Sequence, residues 1–227
     1  MKINEIFYSI QGESAWTGYP TVFVRLQGCN MECTYCDTKY AQKKGGKEMT
    51  PEEVAEEIRK YPASYICFTG GEPLLQQDEI IKVIRKLADP YTAFSIETNG
   101  TIVPSQHFRI AQVPIENMRF VYDFKLPSAF KRRKDYEKYK ENFLVNIVPA
   151  TVGRYIEVKF VTNAHVDDLD EIMHIAKFIP HICMSISPQW GKVDLRDLVN
   201  WIKENLPKVR MQLQMHKIIW EPEERGV

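Results

Sequence analysis

Three cysteines within eight positions are the residues of this sequence best suited to chemistry. Cys29, Cys33 and Cys36 are separated by three and two residues, so one loop can carry three thiolates to a single inorganic centre. Cys67 and Cys183 lie far away, within predicted strands, and the odd total does not suit a disulfide framework. We therefore expect the three clustered cysteines to bind metal in a reducing compartment.

Zinc and an iron–sulfur cluster are the two candidates for this metal. A structural zinc site usually takes four protein ligands. No fourth cysteine lies nearby in the sequence, although His107 and His165 are available in principle. Three thiolates on a 4Fe–4S cluster leave one iron open to bind a ligand. The spacing favours a 4Fe–4S cluster on Cys29, Cys33 and Cys36, with zinc or ordinary buried cysteines as the alternatives.

A glycine-rich segment follows the next predicted strand and reads Thr69-Gly70-Gly71-Glu72-Pro73. Glycines let the backbone approach a ligand closely and expose its N–H and C=O groups. Standing alone, this segment would be an ordinary turn. Because it comes one strand after the cysteines, we interpret it as part of the same ligand site.

The elements that must position these residues alternate between strands and helices. Strands are predicted at 22–26, 65–68, 93–97, 120–124, 155–161, 183–187 and 209–215. Helices are predicted at 51–60, 77–87, 132–145, 167–178 (capped by Asp167) and 194–205. Repeated strand–helix units indicate an α/β fold with a parallel sheet and right-handed crossovers. About six core strands are fewer than the eight of a closed TIM barrel, so we expect an incomplete TIM-type barrel in one domain, residues 1–227.

In barrels of this kind the chemistry lies at the carboxyl ends of the strands. Several polar residues fall at or just after predicted strand ends, namely Cys29, Thr69, Glu97, Asp123, Ser187 and His216. The sequence therefore predicts one shared site at that end of the barrel.

Composition limits the classes of partner. The chain has 30 basic and 30 acidic side chains, which argues against a surface built for nucleic acid or for an acidic membrane. No apolar run approaches the roughly 20 residues that span a bilayer, and the N-terminal segment lacks the apolar core of a secretory signal. We expect a cytoplasmic protein that acts on a small molecule.

The spacing Cys-x3-Cys-x2-Cys, with Tyr35 before the last cysteine, and the Gly-Gly-Glu-Pro segment together resemble the radical S-adenosylmethionine (SAM) superfamily. The resemblance implies that the open iron holds SAM and that Gly71 and Glu72 bind its methionine moiety. It also implies reductive cleavage of SAM to a 5′-deoxyadenosyl radical that abstracts hydrogen from a substrate.

Segments 5–14, 36–38, 96–100 and 214–217 together resemble the 7-carboxy-7-deazaguanine synthase family over nearly the whole chain. The resemblance implies conversion of the pterin 6-carboxy-5,6,7,8-tetrahydropterin into 7-carboxy-7-deazaguanine and ammonia, a ring contraction on the route to 7-deazapurines such as queuosine. It further implies Mg²⁺, a reductant such as flavodoxin or ferredoxin, and a homodimer.

The resemblance also assigns roles to residues. At the substrate it places Ile10, Gln11, Gly12, Glu13, Arg25, Thr69, Glu97 and His216. At SAM it places Tyr35, Cys36, Asp37, Gly71, Glu72, Asp123, Lys125, Lys159 and Ser187.

The resemblance gives four residues a more specific role. Arg25 would pair with the substrate carboxylate, Thr38 would contribute to the Mg²⁺ site, and Glu97 or His216 would transfer protons. Without the family, Arg25 fits a surface arginine, Glu97 a turn carboxylate and His216 a structural histidine.

Two departures from the family pattern stand out: Ser14 replaces a common glycine, and Asp123-Phe124-Lys125 replaces a common Ser-Pro-Lys. Two other functions compete with the synthase. A glycyl-radical-enzyme activase is also small and carries the same cysteine spacing. A non-enzymatic iron–sulfur or zinc module would bind a partner, but it would leave the Gly-Gly-Glu-Pro segment unexplained.

Overall fold

A computed structural model describes residues 1–43, 45–110, 113–150 and 155–227 of the chain. Within these residues one sheet has the strand order β3-β1-β2-β4-β5-β6-β7-β8-β9. Its strands are β1 (Lys2–Ile10), β2 (Pro20–Leu26), β3 (Lys47–Glu48), β4 (Tyr65–Gly70), β5 (Ala93–Thr98), β6 (Met118–Phe124), β7 (Tyr155–Thr162), β8 (Cys183–Pro188) and β9 (Arg210–Met211).

Helices occupy most of the connections between these strands. The α-helices are α1 (Pro51–Ile58), α2 (Gln77–Leu87), α3 (Arg133–Ala150), α4 (Val166–Phe178), α5 (Leu195–Asn205) and α6 (His216–Ile219). Short 3-10 helices span Lys39–Ala41, Pro73–Gln76, Gln106–Ile110, Ile115–Asn117 and Pro127–Ala129. None of the helices in the described ranges is long and apolar enough to cross a membrane.

The sheet is open and mostly parallel. Strands β2 and β4 to β9 run parallel in succession, whereas β1 pairs antiparallel with β2, and β3 pairs antiparallel with β1. Six of the parallel strands have six to eight residues, and β9 adds two more residues at one edge. This confirms the predicted incomplete barrel of about six parallel strands.

The sequence prediction differs from the structure in several details. Helix α1 ends at Ile58 rather than at 60, α3 reaches Ala150 rather than 145, and strands β1 and β3 were not anticipated. The last strand covers only Arg210–Met211, because the chain beyond it turns inward and the Met215 N–H donates to the Gly12 carbonyl at 3.1 Å. The cap of α4 is His165 rather than Asp167, since the His165 side chain accepts from the backbone N–H of Asp167.

The two faces of the sheet differ in character because side chains alternate along each strand. The outer face packs under the helices in one apolar core, which includes Val24, Phe68, Ile96, Phe124 and Phe160. The inner face is largely polar and carries Thr69, Glu97, Asp123, Lys159 and Ser187. The apolar core thus lies outside the barrel, and the polar side chains point into it.

The connection from β1 to β2 folds into the barrel and forms what we call the inner loop, residues 11–18. Backbone hydrogen bonds close its base, from the Gln11 N–H to Tyr19 O at 2.9 Å and from the Gly18 N–H to Gln11 O at 2.8 Å. Trp16 packs edge-on against Tyr65 on β4, with ring centroids 5.3 Å apart. The inner loop therefore brings Gln11, Gly12 and Glu13 to the inner face, while Ile10 ends β1 opposite Pro20.

Candidate active site

The three clustered cysteines lie on the loop that leaves β2. Backbone bonds from Gly28 N to Ala41 O (2.7 Å) and from Cys29 N to Gln42 O (3.1 Å) fix the start of this loop. The thiols of Cys29, Cys33 and Cys36 are all half-buried. The other two cysteines lie elsewhere: Cys67 is fully buried in β4, and Cys183 is exposed at the amino end of β8. The loop thus offers three thiols, as the spacing predicts.

Burial raises the pKa of the Cys29 thiol, and it raises that of Cys33 to about 11 against the opposing charge of Lys125. Thiolates bind metal, so loading this loop would release protons. No three His, Cys, Asp or Glu side chains within the described ranges are grouped to hold one metal ion. A cubane cluster makes a different demand, because each thiolate binds a different iron.

The Gly-Gly turn packs directly on the strand that leads into the cysteine loop. The Gly71 N–H donates to Leu26 O at 3.1 Å, and the Glu72 N–H donates to Gly28 O at 2.8 Å. A Cβ on Gly70 would overlap the backbone of Leu26, and one on Gly71 would overlap Gly28. Glycine is therefore required at both positions, and the turn and the cysteine loop form one backbone unit.

The Glu72 carboxylate braces this turn against the end of β5. Its Oε1 accepts from the Leu74 N–H at 2.9 Å and the Thr98 hydroxyl at 2.8 Å, and its Oε2 accepts from the Asn99 N–H at 2.7 Å. The side chain is completely buried, and burial raises its pKa despite these three donors. Glu72, which is predicted to bind SAM, thus also stabilises the turn through hydrogen bonds within the protein.

Three predicted substrate residues meet at Glu97. Its Oε1 accepts from the Gln11 side-chain amide at 3.2 Å, and its Oε2 accepts from the Thr69 hydroxyl at 3.0 Å. These residues come from the inner loop, the end of β4 and the end of β5. An amide, a hydroxyl and a carboxylate therefore converge on the inner face.

Arg25 lies next to this group, since it pairs in register with Thr69 across β2 and β4. Its Nε donates to Glu5 Oε1 at 2.7 Å, and the same carboxylate oxygen accepts from the Tyr40 hydroxyl. Among the described residues the two terminal guanidinium nitrogens make no hydrogen bond. Arg25 is thus held by Glu5 with its outer nitrogens free.

His216 faces Gly12 rather than the end of a strand. It begins α6, five residues beyond the end of β9, which corrects its predicted placement at a strand terminus. A Cβ on Gly12 would overlap the imidazole ring, so glycine permits this close approach. Burial lowers the pKa of His216, which favours the neutral imidazole.

The predicted SAM residues on β7, on β6 and just after β6 form a chain of charges, which is buried at Lys159 and half-buried at Asp123 and Lys125. Lys125 Nζ lies 2.9 Å from Asp123 Oδ2, and Lys159 Nζ lies 3.3 Å from the same oxygen. Lys159 also lies 2.5 Å from Glu13 Oε2. Ser187 is buried on β8, and its hydroxyl makes no hydrogen bond to the part of the chain that the structure describes.

The remaining predicted residues lie on the cysteine loop. The Tyr35 hydroxyl donates to Val161 O at 3.3 Å, which ties the loop to β7. Asp37 forms an ion pair with Lys217 at 3.1 Å, and Thr38 Oγ1 lies 3.7 Å from the Cys36 sulfur. A groove of about 1170 Å³ opens beside Cys33, between this loop and α3.

Sequence reasoning gave no role to three residues that shape the site: Glu5, Thr98 and Tyr139. The Tyr139 hydroxyl donates to Asn99 O and accepts from the Lys125 N–H, both at 2.9 Å, and so joins the ends of β5 and β6. Glu5 lies two residues before the buried Phe7 of β1 and so shares its side of the strand, a weak signal of an inward position. Nothing in the sequence marks Tyr139, because its partners lie far away along the chain.

The geometry and the sequence comparisons agree on the class of protein. The Radical SAM superfamily profile matches residues 23–143, slightly more than half of the chain, and this span runs from β2 through the cysteine loop and the Gly-Gly turn into α3. The chain belongs to the radical SAM superfamily.

Full-length relatives narrow this class. The chain is 38% identical over 228 residues to a 7-carboxy-7-deazaguanine synthase of Methanospirillum hungatei, covering 98% of this chain and 86% of the relative. It is 34% identical to one of Clostridium acetobutylicum over 100% of this chain and 99% of the relative. The chain belongs to the 7-carboxy-7-deazaguanine synthase family. The crystal structure of QueE from Escherichia coli shares the fold, with a TM-score of 0.70, 23% identity and coverage of 95% and 94% of the two chains.

Proposed function

We propose that this chain is a 7-carboxy-7-deazaguanine synthase, which contracts the ring of 6-carboxy-5,6,7,8-tetrahydropterin to 7-carboxy-7-deazaguanine with loss of ammonia. The observation that carries the proposal is the convergence of Gln11 and Thr69 on Glu97, one strand from the Gly-Gly turn that packs on the cysteine loop. Family membership supports the same reaction.

The residues around Glu97 suit the edge of a pterin. Such an edge presents amide-like donors and acceptors, and Gln11 and Thr69 supply hydrogen-bonding groups of both kinds. Backbone groups at Ile10 and Gly12 would add further hydrogen-bonding groups for the pterin. The free terminal nitrogens of Arg25 would bind the substrate carboxylate, since guanidinium matches a carboxylate in a bidentate pair.

Proton transfer in this site falls to Glu97 and His216. The neutral imidazole of His216 accepts a proton, and its contact with Gly12 places it beside the pterin-binding segment. Glu97 already accepts two hydrogen bonds, which fix its carboxylate in one orientation. We assign both residues to the rearrangement or to the loss of ammonia.

The chain also fits a 4Fe–4S cluster and SAM. Cys29, Cys33 and Cys36 would hold the cluster, and the backbone of the Gly-Gly turn would approach the methionine moiety. The buried Asp123 Oδ1 and Ser187 Oγ, which have no hydrogen-bond partner among the described residues, would accept ligand hydrogen bonds. When bound, the cluster and SAM supply the radical that removes hydrogen from the substrate.

We assign Mg²⁺ to the neighbourhood of Thr38, with the substrate and water as further ligands. Mg²⁺ commonly keeps several waters and takes few protein ligands, so one hydroxyl is a sufficient protein share. Asp37 stays paired with Lys217, whose positive charge lowers the pKa of Asp37 against the effect of burial.

The wider setting follows from the same proposal. The groove beside Cys33 gives a reductant such as flavodoxin or ferredoxin access to the cluster loop. We propose a cytoplasmic homodimer in which residues 1–227 form one radical SAM domain. Balanced charge, with 30 basic and 30 acidic side chains, supports the absence of a nucleic-acid or membrane partner.

The decisive experiment is anaerobic reconstitution of the cluster, followed by incubation with SAM, a reductant, Mg²⁺ and 6-carboxytetrahydropterin. We expect 7-carboxy-7-deazaguanine to form and SAM to be regenerated rather than consumed. Formation of 5′-deoxyadenosine without turnover of the pterin would contradict the proposal and favour a radical SAM enzyme with another substrate, such as a glycyl-radical-enzyme activase.

A matched pair of cysteine variants controls for the metal. Cys33→Ser should lose cluster iron and all activity, whereas Cys183→Ser, exposed at the opposite end of β8, should keep both. Wild-type protein that bound zinc alone at the three loop cysteines would refute the radical SAM assignment.

A further inference from the structure

Lys159 lies at the centre of a chain of alternating charges, which is buried at Glu13 and Lys159 and half-buried at Asp123. Its ammonium contacts Glu13 Oε2 at 2.5 Å and Asp123 Oδ2 at 3.3 Å, and only 6% of the residue is exposed. Lys159 and Asp123 are direct partners in the register of β6 and β7. One ammonium therefore joins two neighbouring strands to the inner loop.

The charge on this ammonium is secure. Burial works to lower the pKa of Lys159, but the carboxylates of Asp123 and Glu13 outweigh it and raise the pKa overall. A buried charge is tolerated only while it is paired, so removal of one partner leaves the others uncompensated. Lys159 therefore holds Glu13 with a strength that a surface ion pair would not have.

The inner loop contains a strained residue that the ion pair between Lys159 and Glu13 can help to hold in place. Ser14 has φ 69, in the left-handed region that costs a non-glycine residue free energy. Its hydroxyl is buried and makes no hydrogen bond to any described residue. The loop also has to keep Gln11 on Glu97 and Gly12 against His216. Because the inner loop is strained at Ser14, it keeps these contacts only if other interactions hold it in place.

The two carboxylates differ in what remains if Lys159 is removed. Asp123 keeps Lys125 as a partner at 2.9 Å, whereas Glu13 has Lys159 as its one salt-bridge partner among the described residues. Both carboxylates also carry a buried oxygen without a hydrogen bond in the described structure, Glu13 Oε1 and Asp123 Oδ1. Loss of Lys159 would therefore disturb the inner loop far more than the Asp123 side.

We propose that Lys159 is a positioning residue that holds the inner loop inside the barrel through Glu13, rather than a residue that binds SAM. The statement that the loop presents Gln11 to a pterin rests on the proposed function. The position of the loop itself is a property of the chain alone.

The test begins with cluster-free protein and Trp16, which lies on the inner loop against Tyr65 and the guanidinium of Arg119. Its emission is isolated as the difference from the same protein carrying Trp16→Phe. Lys159→Met should shift this emission to the red and increase its quenching by acrylamide. The control Lys140→Met, which breaks a pair with Glu171 on the helical side, should leave it unchanged.

Binding to the reconstituted protein gives the second readout. Lys159→Met should weaken binding of 6-carboxytetrahydropterin about tenfold or more, because the loop is displaced. SAM affinity, followed by the change in the reduced cluster's electron paramagnetic resonance spectrum, should stay within about threefold, since Asp123 keeps Lys125. A loss of SAM affinity equal to or larger than the loss of pterin affinity would overturn the proposal.

Two further variants guard against misfolding. Glu13→Gln breaks the same pair from the loop side and should also shift the Trp16 emission. Adding Glu13→Gln to Lys159→Met should shift the emission little further than Lys159→Met alone, because both changes remove the same pair. Native emission in both single variants would overturn the inference. Failure of the wild-type protein to bind the pterin would instead count against the proposed function and leave the Trp16 test intact.

Discussion

Replacing Glu72 with glutamine tests whether this carboxylate is a structural brace. Glu72 accepts three hydrogen bonds, and glutamine has nearly the same shape, so the change removes charge and one acceptor without leaving a cavity. If the amide oxygen takes the place of Oε1, it keeps the bonds from Leu74 and Thr98. The amide nitrogen then faces the N–H of Asn99, and two donors meet.

The magnitude follows from these contacts. A hydrogen bond to a charged group contributes about 1.5–3 kcal/mol. Part of this loss is offset because glutamine no longer buries a charge, the same effect of burial that raises the pKa of Glu72. We expect a net loss of about 1–2 kcal/mol for Glu72→Gln, which is a fall in Tm of about 2–8 °C for a chain of this size. Glu72→Ala leaves three donors without an acceptor and should cost about 3–6 kcal/mol.

The assay is thermal and urea unfolding of the cluster-free proteins, with Glu56→Gln on the exposed side of α1 as the control. SAM binding to the reconstituted proteins is then measured separately. Wild-type stability in both Glu72 variants would refute the brace. Wild-type stability combined with complete loss of SAM binding would show that Glu72 acts as a ligand.

Three smaller predictions follow from the same structure. Ser14→Gly should stabilise the protein by about 1 kcal/mol in urea unfolding, because glycine adopts a φ of 69 without steric cost. Ala164→Gly, at φ 61 outside the site, should stabilise the protein by a similar amount. A loss of stability in either variant would contradict the argument that the two residues are strained. Burial holds the pKa of His216 below 6.5, so protonation of this imidazole is less favourable in the folded state than in the unfolded state. Stability should therefore fall as the pH drops from about 7 to 5. His216→Gln should reduce this pH dependence of the urea midpoint, and an unchanged dependence would contradict the prediction. Tyr139→Phe should cost about 1–3 kcal/mol, since it leaves a buried carbonyl and a backbone N–H unpaired, whereas Tyr91→Phe, on an exposed ring, should cost nothing measurable.

The long elements of the fold were predictable from local signals. The helix predicted at 77–87 has those bounds in the structure, and the Thr50-Pro51 start of α1 is a capping box with Glu53. The predicted strand at 209–215 was mostly wrong. Its alternation is real, but Met215 bonds to Gly12, about two hundred positions earlier, and this contact competes with strand pairing. Local pattern carries no information about such a partner.

The candidate site divides in the same way. Spacing along one loop identified Cys29, Cys33 and Cys36, and adjacency identified the Gly-Gly turn. The pairing of Lys159 with Glu13 joins residues 146 positions apart, so no window of sequence contains both. The hydroxyl of Tyr139 escaped notice for the same reason. Site residues that are neighbours in the sequence could be predicted from it, whereas contacts between residues far apart in the sequence are seen only in the folded structure.

The division of each strand into an apolar outer face and a polar inner face makes its register doubly sensitive. A one-residue deletion within β6 would turn Phe124 into the barrel and press Asp123 against the helices, so stability and ligand binding would fail together. Point substitutions on either face affect mainly one of the two. Insertions and deletions in this family should therefore be confined to the connections, and the strands should change over evolution by substitution alone.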